Sequence, residues 1–234
     1  MKISSPMNTL HSTLLALALA VTATGLLAAD TNSAAEAEAA YTRTITQRAD
    51  KIVATLGIAD TNKVIIVRDL IAQQYRDLSR IHDERDAQIA AATEKFASDK
   101  AASAAAVQAA RDTVKPRLDQ LHGAFLARLS VELSSEQVDK VKDGLTYDVL
   151  PLTYSVYLRM YPELTGEQKR QIMAWLVEAR ELAMDGSTSN EKHAVFGKYK
   201  GKINNYLSKA GYDAKKAEQN LKKPAAAASD STSQ

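Results

Sequence analysis

Apolar residues recur along this chain with the spacing of helices rather than of strands. From Val64 to Phe96 they follow one another at steps of about 3.5 residues, and a second stripe runs from Val107 to Leu129. No stretch alternates apolar and polar residues over the length of a strand. The pattern predicts an all-α protein, a helical bundle built on a long antiparallel helical hairpin.

Residues that end or cap helices set the limits of that hairpin. Gly57 ends a preceding helix, and Asp60 is placed to cap the first long helix. The Ala/Ser-rich stretch 97–106 is either the hairpin apex or a fraying helix. Pro116 either kinks the second long helix or marks its true start.

The second half is predicted to hold a set of shorter, aromatic-rich helices. Ser134 is followed three residues later by Gln137, and Thr165 by Gln168, which is the capping-box pattern of a helix start. The second copy also resembles a Leu-Thr-x-x-Gln signature of small periplasmic helical chaperones. The predicted spans are 135–143, 152–160, 166–184, 190–207 and 213–221.

The N-terminus has the order of a secretion signal. Lys2 precedes an apolar run that extends from Leu14 to Ala29, and the chain becomes polar at Asp30. We therefore predict a signal peptide over residues 1–29, cleaved near Ala28 or Ala29, and a periplasmic or secreted protein. An uncleaved membrane anchor is the alternative.

The remaining chain is predicted to form one all-helical domain over residues 36–222. Residues 223–234, rich in Pro, Ala and Ser, offer no large apolar groups for burial and are predicted to be a disordered tail. The chain has no cysteine, so a lipid-attachment thiol, disulfides and thiolate metal sites are excluded.

Charge is unevenly distributed although the formal net charge is only +2. Lysines clearly outnumber acidic residues from Gly186 to Lys223. A basic segment attracts anionic partners over about 8–10 Å at ordinary salt. The alternative is a solvated lysine-rich helix face without a partner.

Aromatic residues mark the candidate binding surface, because seven of the nine tyrosines and the single tryptophan follow residue 146. Flat rings with a polar edge suit sugar rings as well as core packing. Neighbouring lysines and asparagines, Lys202 among them, offer hydrogen bonds to hydroxyls and carboxylates. The predicted ligand-binding residues are Tyr154, Tyr157, Tyr161, Trp175, His193, Lys198, Tyr199, Lys200, Asn204, Asn205 and Tyr206. The alternative is that the rings hold the shorter helices together.

Gly197 and Gly201 lie one turn apart on the lysine-rich helix. Glycine in a helix costs roughly 1 kcal/mol relative to alanine, so each is better tolerated where a ligand or another backbone comes close. The pair predicts either a groove for a ligand or a tight contact between helices.

Catalytic and metal-binding patterns are weak. His82 stands among carboxylates, which favours a salt-bridged surface over a metal site, and His122 lies in an apolar stripe as a packed histidine. No zinc-protease, nucleophile-elbow or phosphate-loop motif occurs. We predict no catalytic residues, no metal and no cofactor.

Several segments together resemble one family. They are Arg48–Val53, Ile71–Tyr75, Tyr147–Tyr154, Ala179–Asp185, Lys198–Leu207 and Gly211–Asp213. This chain resembles the bacterial family DUF3826 from about Ala49 to Leu221. The resemblance implies a sugar-binding role in the cell envelope, in company with polysaccharide utilisation.

The favoured hypothesis is a non-enzymatic protein that binds an acidic poly- or oligosaccharide. A chaperone-like or structural helical adaptor is the alternative, and a glycan-processing enzyme is the third interpretation. We expect no nucleic-acid partner and no stable membrane span after signal cleavage.

Overall fold

The computed structural model describes residues 22–222, with side chains from residue 33 onward. Every regular element in this part of the chain is an α-helix, which confirms the predicted all-α class. The helices are α1 Thr22–Val53, α2 Thr61–Lys95, α3 Lys100–Glu132, α4 Ser135–Leu145, α5 Val149–Met160, α6 Gly166–Met184, α7 Ser189–Lys209 and α8 Ala214–Leu221.

The chain divides into two compact units, Met1–Thr44 and Ile45–Gln234. In the described part of the first unit, helical residues bond along α1, as where the Thr44 hydroxyl donates to the Ala40 carbonyl at 3.0 Å. Residues 1–21 of the predicted signal peptide and the predicted tail 223–234 lie outside the described residues, whereas 22–29 are helical. Within the described residues, none of the helices combines the length and apolarity that crossing a membrane requires.

The long hairpin of α2 and α3 dominates the second unit. Asp60 caps α2 as predicted, its carboxylate accepting from the backbone N–H groups of Asn62 and Lys63. Asp99 caps α3 in the same way. The two helices pack antiparallel along their length because only residues 96–99 separate them.

The start of α3, the second helix of the hairpin, differs from the prediction at the apex and at Pro116. The apex is residues 96–99, and the rest of the Ala/Ser-rich stretch is regular helix from Lys100 onward. Pro116 lies inside α3, so the prediction that it marks the start of the helix is wrong. Asp99 is the N-cap, so the helix begins at Lys100, sixteen residues before the proline.

Capping boxes begin three of the shorter helices. The predicted pairs Ser134–Gln137 and Thr165–Gln168 both form reciprocal side-chain to backbone bonds. A third box, Thr188 with Glu191, begins α7 and was not predicted. Local sequence therefore sets the start of α4, α6 and α7.

A hydrophobic core joins α5, α6, α7 and α8. Its centre is made of fully buried side chains from α6 and α7, such as Ile172, Leu176, Phe196 and Ile203. The candidate aromatic residues surround this core, so its packing decides which of their rings reach the surface.

Candidate functional site

Two of the predicted tyrosines belong to the core. Tyr157 on α5 and Tyr161, the C-cap residue of that helix, are buried, and their rings stack with centroids 6.4 Å apart. The Tyr157 hydroxyl donates to the side-chain oxygen of Asn204 at 2.8 Å, and burial raises the pKa of Tyr157 to about 12. Tyr154 is half-buried against the same core. Tyr157 and Tyr161 therefore serve mainly in the packing that holds α5 in place.

Four residues on α6 and α7 form one aromatic and basic surface, which we call the aromatic–lysine patch: Trp175, Tyr199, Lys202 and Tyr206. Trp175 and Tyr206 meet edge to face at 5.3 Å. The Lys202 ammonium lies 4.7 Å from the centroid of the Trp175 ring and 5.4 Å from that of Tyr199. The patch thus unites three predicted residues with a lysine at their centre.

Lys202 lies at the centre of the patch, although it was not among the predicted ligand-binding residues. It follows Tyr199 by three positions and precedes Tyr206 by four, so the three share one flank of α7. That spacing was visible in the sequence. What was not visible is that Trp175, on α6, faces the same flank.

The patch is half-buried and polar at its edge. All three rings of the aromatic–lysine patch are partly exposed while packed against the core. Burial raises the pKa of the Tyr199 hydroxyl, and so does its hydrogen bond to Glu178. No carboxylate lies within ion-pair distance of Lys202 among residues 33–222. Its charge is therefore available to an anionic ligand.

The other predicted residues lie elsewhere on α7. Lys198 and Asn205 are exposed on the outer side of the helix. His193 lies near the start of α7, where its ring Nδ1 donates to the Ser189 carbonyl at 2.8 Å. Its ring is also 5.7 Å from that of Tyr147. These three are apart from the aromatic–lysine patch.

Lys200 and Asn204 face a groove between α5 and α7. The groove has a volume of about 330 Å³, and its α5 wall carries Leu152, which is 62% exposed, and Val156, which is 39% exposed. The Lys200 carbonyl also accepts from the Tyr157 hydroxyl at 3.3 Å. The predicted site is thus divided between this groove, the aromatic–lysine patch and the core.

Gly197 and Gly201 are exposed on α7 and are not among the residues that line this groove. A methyl group added at either glycine would meet nothing within 4 Å. The expectation of a tight contact between helices at these positions is therefore wrong for the described residues. The space beside the two glycines is open to solvent or to a ligand.

Replacing Gly201 with alanine is expected to stabilise the protein by about 0.5–1 kcal/mol, because alanine has the higher helix propensity and the site is open. Thermal and urea unfolding would measure the gain. As a matched control, Gly211→Ala is expected to destabilise, since Gly211 has a backbone φ of +89° that alanine rarely adopts. Loss of stability in the Gly201 variant would contradict the open geometry.

A polar network joins the hairpin to α6 and centres on Asp185. The His82 ring Nε2 lies 2.6 Å from the Asp185 carbonyl, and the His122 ring Nδ1 lies 3.0 Å from the Asp185 carboxylate. His122 Nε2 is also 3.4 Å from Glu181. The carboxylates of Asp185 and Glu181 raise the pKa of His122 to about 9.

Both histidine interpretations made from sequence are corrected by this network. His82 is buried rather than part of a salt-bridged surface, because α6 ends against it. His122 is half-buried and ion-paired, and not simply packed among apolar residues. Across the described side chains, no three His, Cys, Asp or Glu residues form a group able to hold a metal ion.

Arg180 extends the network on α6. Its guanidinium bonds to Asp139 at 2.7 Å and to Asp143 at 2.9 Å, both on α4. Lys142 is 3.0 Å from Glu181, whose pKa is lowered to about 2 by bonds to His122 and Lys142 against the opposing effect of burial. Each of these carboxylates already has a cationic partner, which makes the network structural in character.

Lys192 completes the junction between α4, α6 and α7. It is 3% exposed, and its ammonium donates to the Leu145 carbonyl at 3.0 Å and the Met184 carbonyl at 3.4 Å. Burial lowers its pKa to about 8. These two carbonyls end α4 and α6, so Lys192 satisfies acceptors that helix ends leave unpaired.

Fold and surface together define the class: an all-α protein whose shorter helices display aromatic and basic side chains. Residues 42–227 match the family model DUF3826, described as a protein of unknown function. The chain belongs to the DUF3826 family, as its sequence segments suggested. No curated protein matches the chain.

Proposed function

We propose that this chain is an exported, non-enzymatic protein that binds an acidic glycan on the aromatic–lysine patch. The observation that carries the proposal is the position of the Lys202 ammonium over the rings of Trp175 and Tyr199, without a carboxylate partner among residues 33–222. Export is proposed from the signal-like order of residues 1–29.

The chemistry of the patch suits a sugar acid. A pyranose ring packs its C–H face on an aromatic ring, and a uronate carboxylate forms a charge-assisted hydrogen bond with an ammonium group. The flexible four-carbon stem of lysine lets the Lys202 ammonium move from the ring face to a ligand carboxylate. The Trp175 face is then free for the sugar ring.

A second candidate function, the chaperone-like or structural adaptor, is favoured by the exposed Leu152 and Val156 in the groove between α5 and α7. Apolar client segments bind to such surfaces. A glycan-processing enzyme receives less support, because the carboxylates of the polar network already pair with cations.

Replacing Lys202 with glutamine is expected to weaken binding of trigalacturonate about tenfold, since one charge-assisted hydrogen bond contributes about 1.5 kcal/mol. Trp175 fluorescence would follow the titration, with maltotriose as the neutral probe. Binding to the unaltered protein should also weaken as salt rises, because screening acts on exposed charges.

Lys63→Gln is the matched control, since Lys63 lies on α2 rather than on α6 or α7. It should bind trigalacturonate like the unaltered protein. Equal binding of maltotriose and trigalacturonate would contradict the acidic part of the proposal. Absence of binding together with suppressed aggregation of an unfolded client would favour the adaptor.

A further inference from the structure

A separate pocket lies between the end of α1 and the turn that joins α4 to α5. It has a volume of about 430 Å³, within the range of about 300–1,000 Å³ that is typical of small-molecule sites. Lys51 and Thr55 line it from the α1 side, and Lys140 and Tyr147 from the other. None of these residues belongs to the aromatic–lysine patch.

The pocket brings two lysines together, Lys51 and Lys140. Among the described residues, neither Lys51 nor Lys140 has a carboxylate within ion-pair distance. Asp143 lines the pocket too, but the Arg180 guanidinium holds it at 2.9 Å. Asp148 is then the one lining carboxylate without a cationic partner in residues 33–222. The formal charges of the lining balance, but neither lysine is paired with a carboxylate among residues 33–222, so both ammonium groups can approach one anion.

The backbone of the turn is strained where it lines the pocket. Tyr147 and Asp148 have φ values of 59° and 54°, a conformation that residues other than glycine rarely adopt. Such a residue costs of order 1–3 kcal/mol, and strain of this kind is concentrated at ligand-binding and active sites. The strained turn also leaves Tyr147 44% exposed beside the pocket.

Asp148 gives a second sign that the turn is not built for helix capping. It occupies the N-cap position of α5, yet its carboxylate makes no capping hydrogen bond. Aspartate at this position normally accepts from the backbone of the first turn. Asp148 lines the pocket, where a carboxylate can accept from ligand hydroxyls.

We propose that this pocket binds one hexuronate unit, as a site separate from the aromatic–lysine patch. The lysines Lys51 and Lys140 pair with the sugar carboxylate, and the Tyr147 ring packs on the face of the pyranose. Asp148 accepts from sugar hydroxyls, and so does the Thr55 hydroxyl, whose own proton goes to the Ile52 carbonyl at 2.7 Å. The ligand class is shared with the proposed function, but the residues are not.

The experiment is an NMR titration of the full chain with D-galacturonate, following the backbone amides of Tyr147 and Asp148. D-galactose is the neutral match, and trigalacturonate presents the same sugar acid within a chain. We expect saturable shifts with galacturonate, none with galactose, and binding about tenfold weaker in Lys140→Gln. Saturable shifts of the same two amides with trigalacturonate would show that the pocket also accepts a uronate unit within a chain.

Asp148→Gly separates binding from folding. Glycine adopts the left-handed conformation freely. The thermal midpoint of the Asp148→Gly protein should therefore equal or exceed that of the unaltered protein, while galacturonate binding is lost. Lys100→Gln, at the first residue of α3, should bind normally. Unchanged galacturonate binding in Lys140→Gln, or the absence of shifts at the Tyr147 and Asp148 amides, would overturn the proposed binding site.

The two variants distinguish an error in this pocket proposal from an error in the proposed function. Lys202→Gln should weaken the trigalacturonate binding seen by Trp175 fluorescence about tenfold and leave the galacturonate shifts at Tyr147 intact. Lys140→Gln should do the reverse. If each variant weakened both responses, the two sites would be one, which also overturns the inference.

Discussion

Replacing Arg180 with alanine is expected to lower the free energy of unfolding by about 3 kcal/mol. Arg180 is 5% exposed and pairs with Asp139 and Asp143. Removing one member of a buried ion pair typically costs about 3–5 kcal/mol, because the remaining charge loses its partner. The lower end applies here because Asp139 is largely exposed and regains water in the variant.

Urea unfolding of both proteins would measure this difference. The matched control is Arg80→Ala, in which a 67% exposed arginine loses its pairing with Asp77 on the same helix. An exposed pair of this kind contributes at most about 1 kcal/mol. If the two variants lose similar stability, the junction between α4 and α6 does not depend on Arg180.

Raising the pH from about 6.5 to about 9 is expected to remove up to about 3 kcal/mol of stability that His122 supplies. The folded state raises the pKa of His122 from 6.5 to about 9, first through its hydrogen bond to Asp185 and then through that to Glu181. The folded protein therefore holds this proton more tightly than the unfolded chain. The contribution is complete below pH 6.5 and is lost as pH rises through 9.

Lys192 acts in the opposite direction at higher pH. Burial lowers its pKa from 10.5 to about 8, so the folded protein releases this proton first and gains relative stability between pH 8 and 10.5. The effect of His122 is therefore read as the difference in unfolding free energy between the unaltered protein and His122→Gln. Lys192 is common to both proteins and cancels.

That difference should be largest below pH 6.5 and should narrow steadily toward pH 9 and above. His193→Gln is the matched control, because His193 is exposed and its ring bonds within α7. A constant gap for His122→Gln would show that the proton on His122 does not stabilise the fold.

Much of the fold was predictable because helix limits are local. Asp60 caps α2 as its position suggested, and the boxes at Ser134 and Thr165 start α4 and α6. Each bond joins residues only two or three positions apart, so the sequence contains both partners. The start of α3 was missed because the apolar stripe begins at Val107, after the Asp99 cap.

The site was predictable only in part. Helical spacing places Tyr199 and Tyr206 on one flank of α7, and both lie in the aromatic–lysine patch. The same kind of spacing predicted one shared face for Tyr154, Tyr157 and Tyr161, but two of these three rings are buried. Periodicity identifies a shared face, but it does not say whether that face packs on a core or meets solvent.

By itself, the sequence determined the helical class, most helix starts and the concentration of aromatic and basic residues in the second half. Tertiary structure alone decided the polar network, since His82 and Asp185 meet across 103 positions of the chain. It also decided the pocket, where Lys51 and Lys140 come from α1 and α4. Burial and long-range pairing depend on which helices pack together, and that choice is made by the whole chain at once.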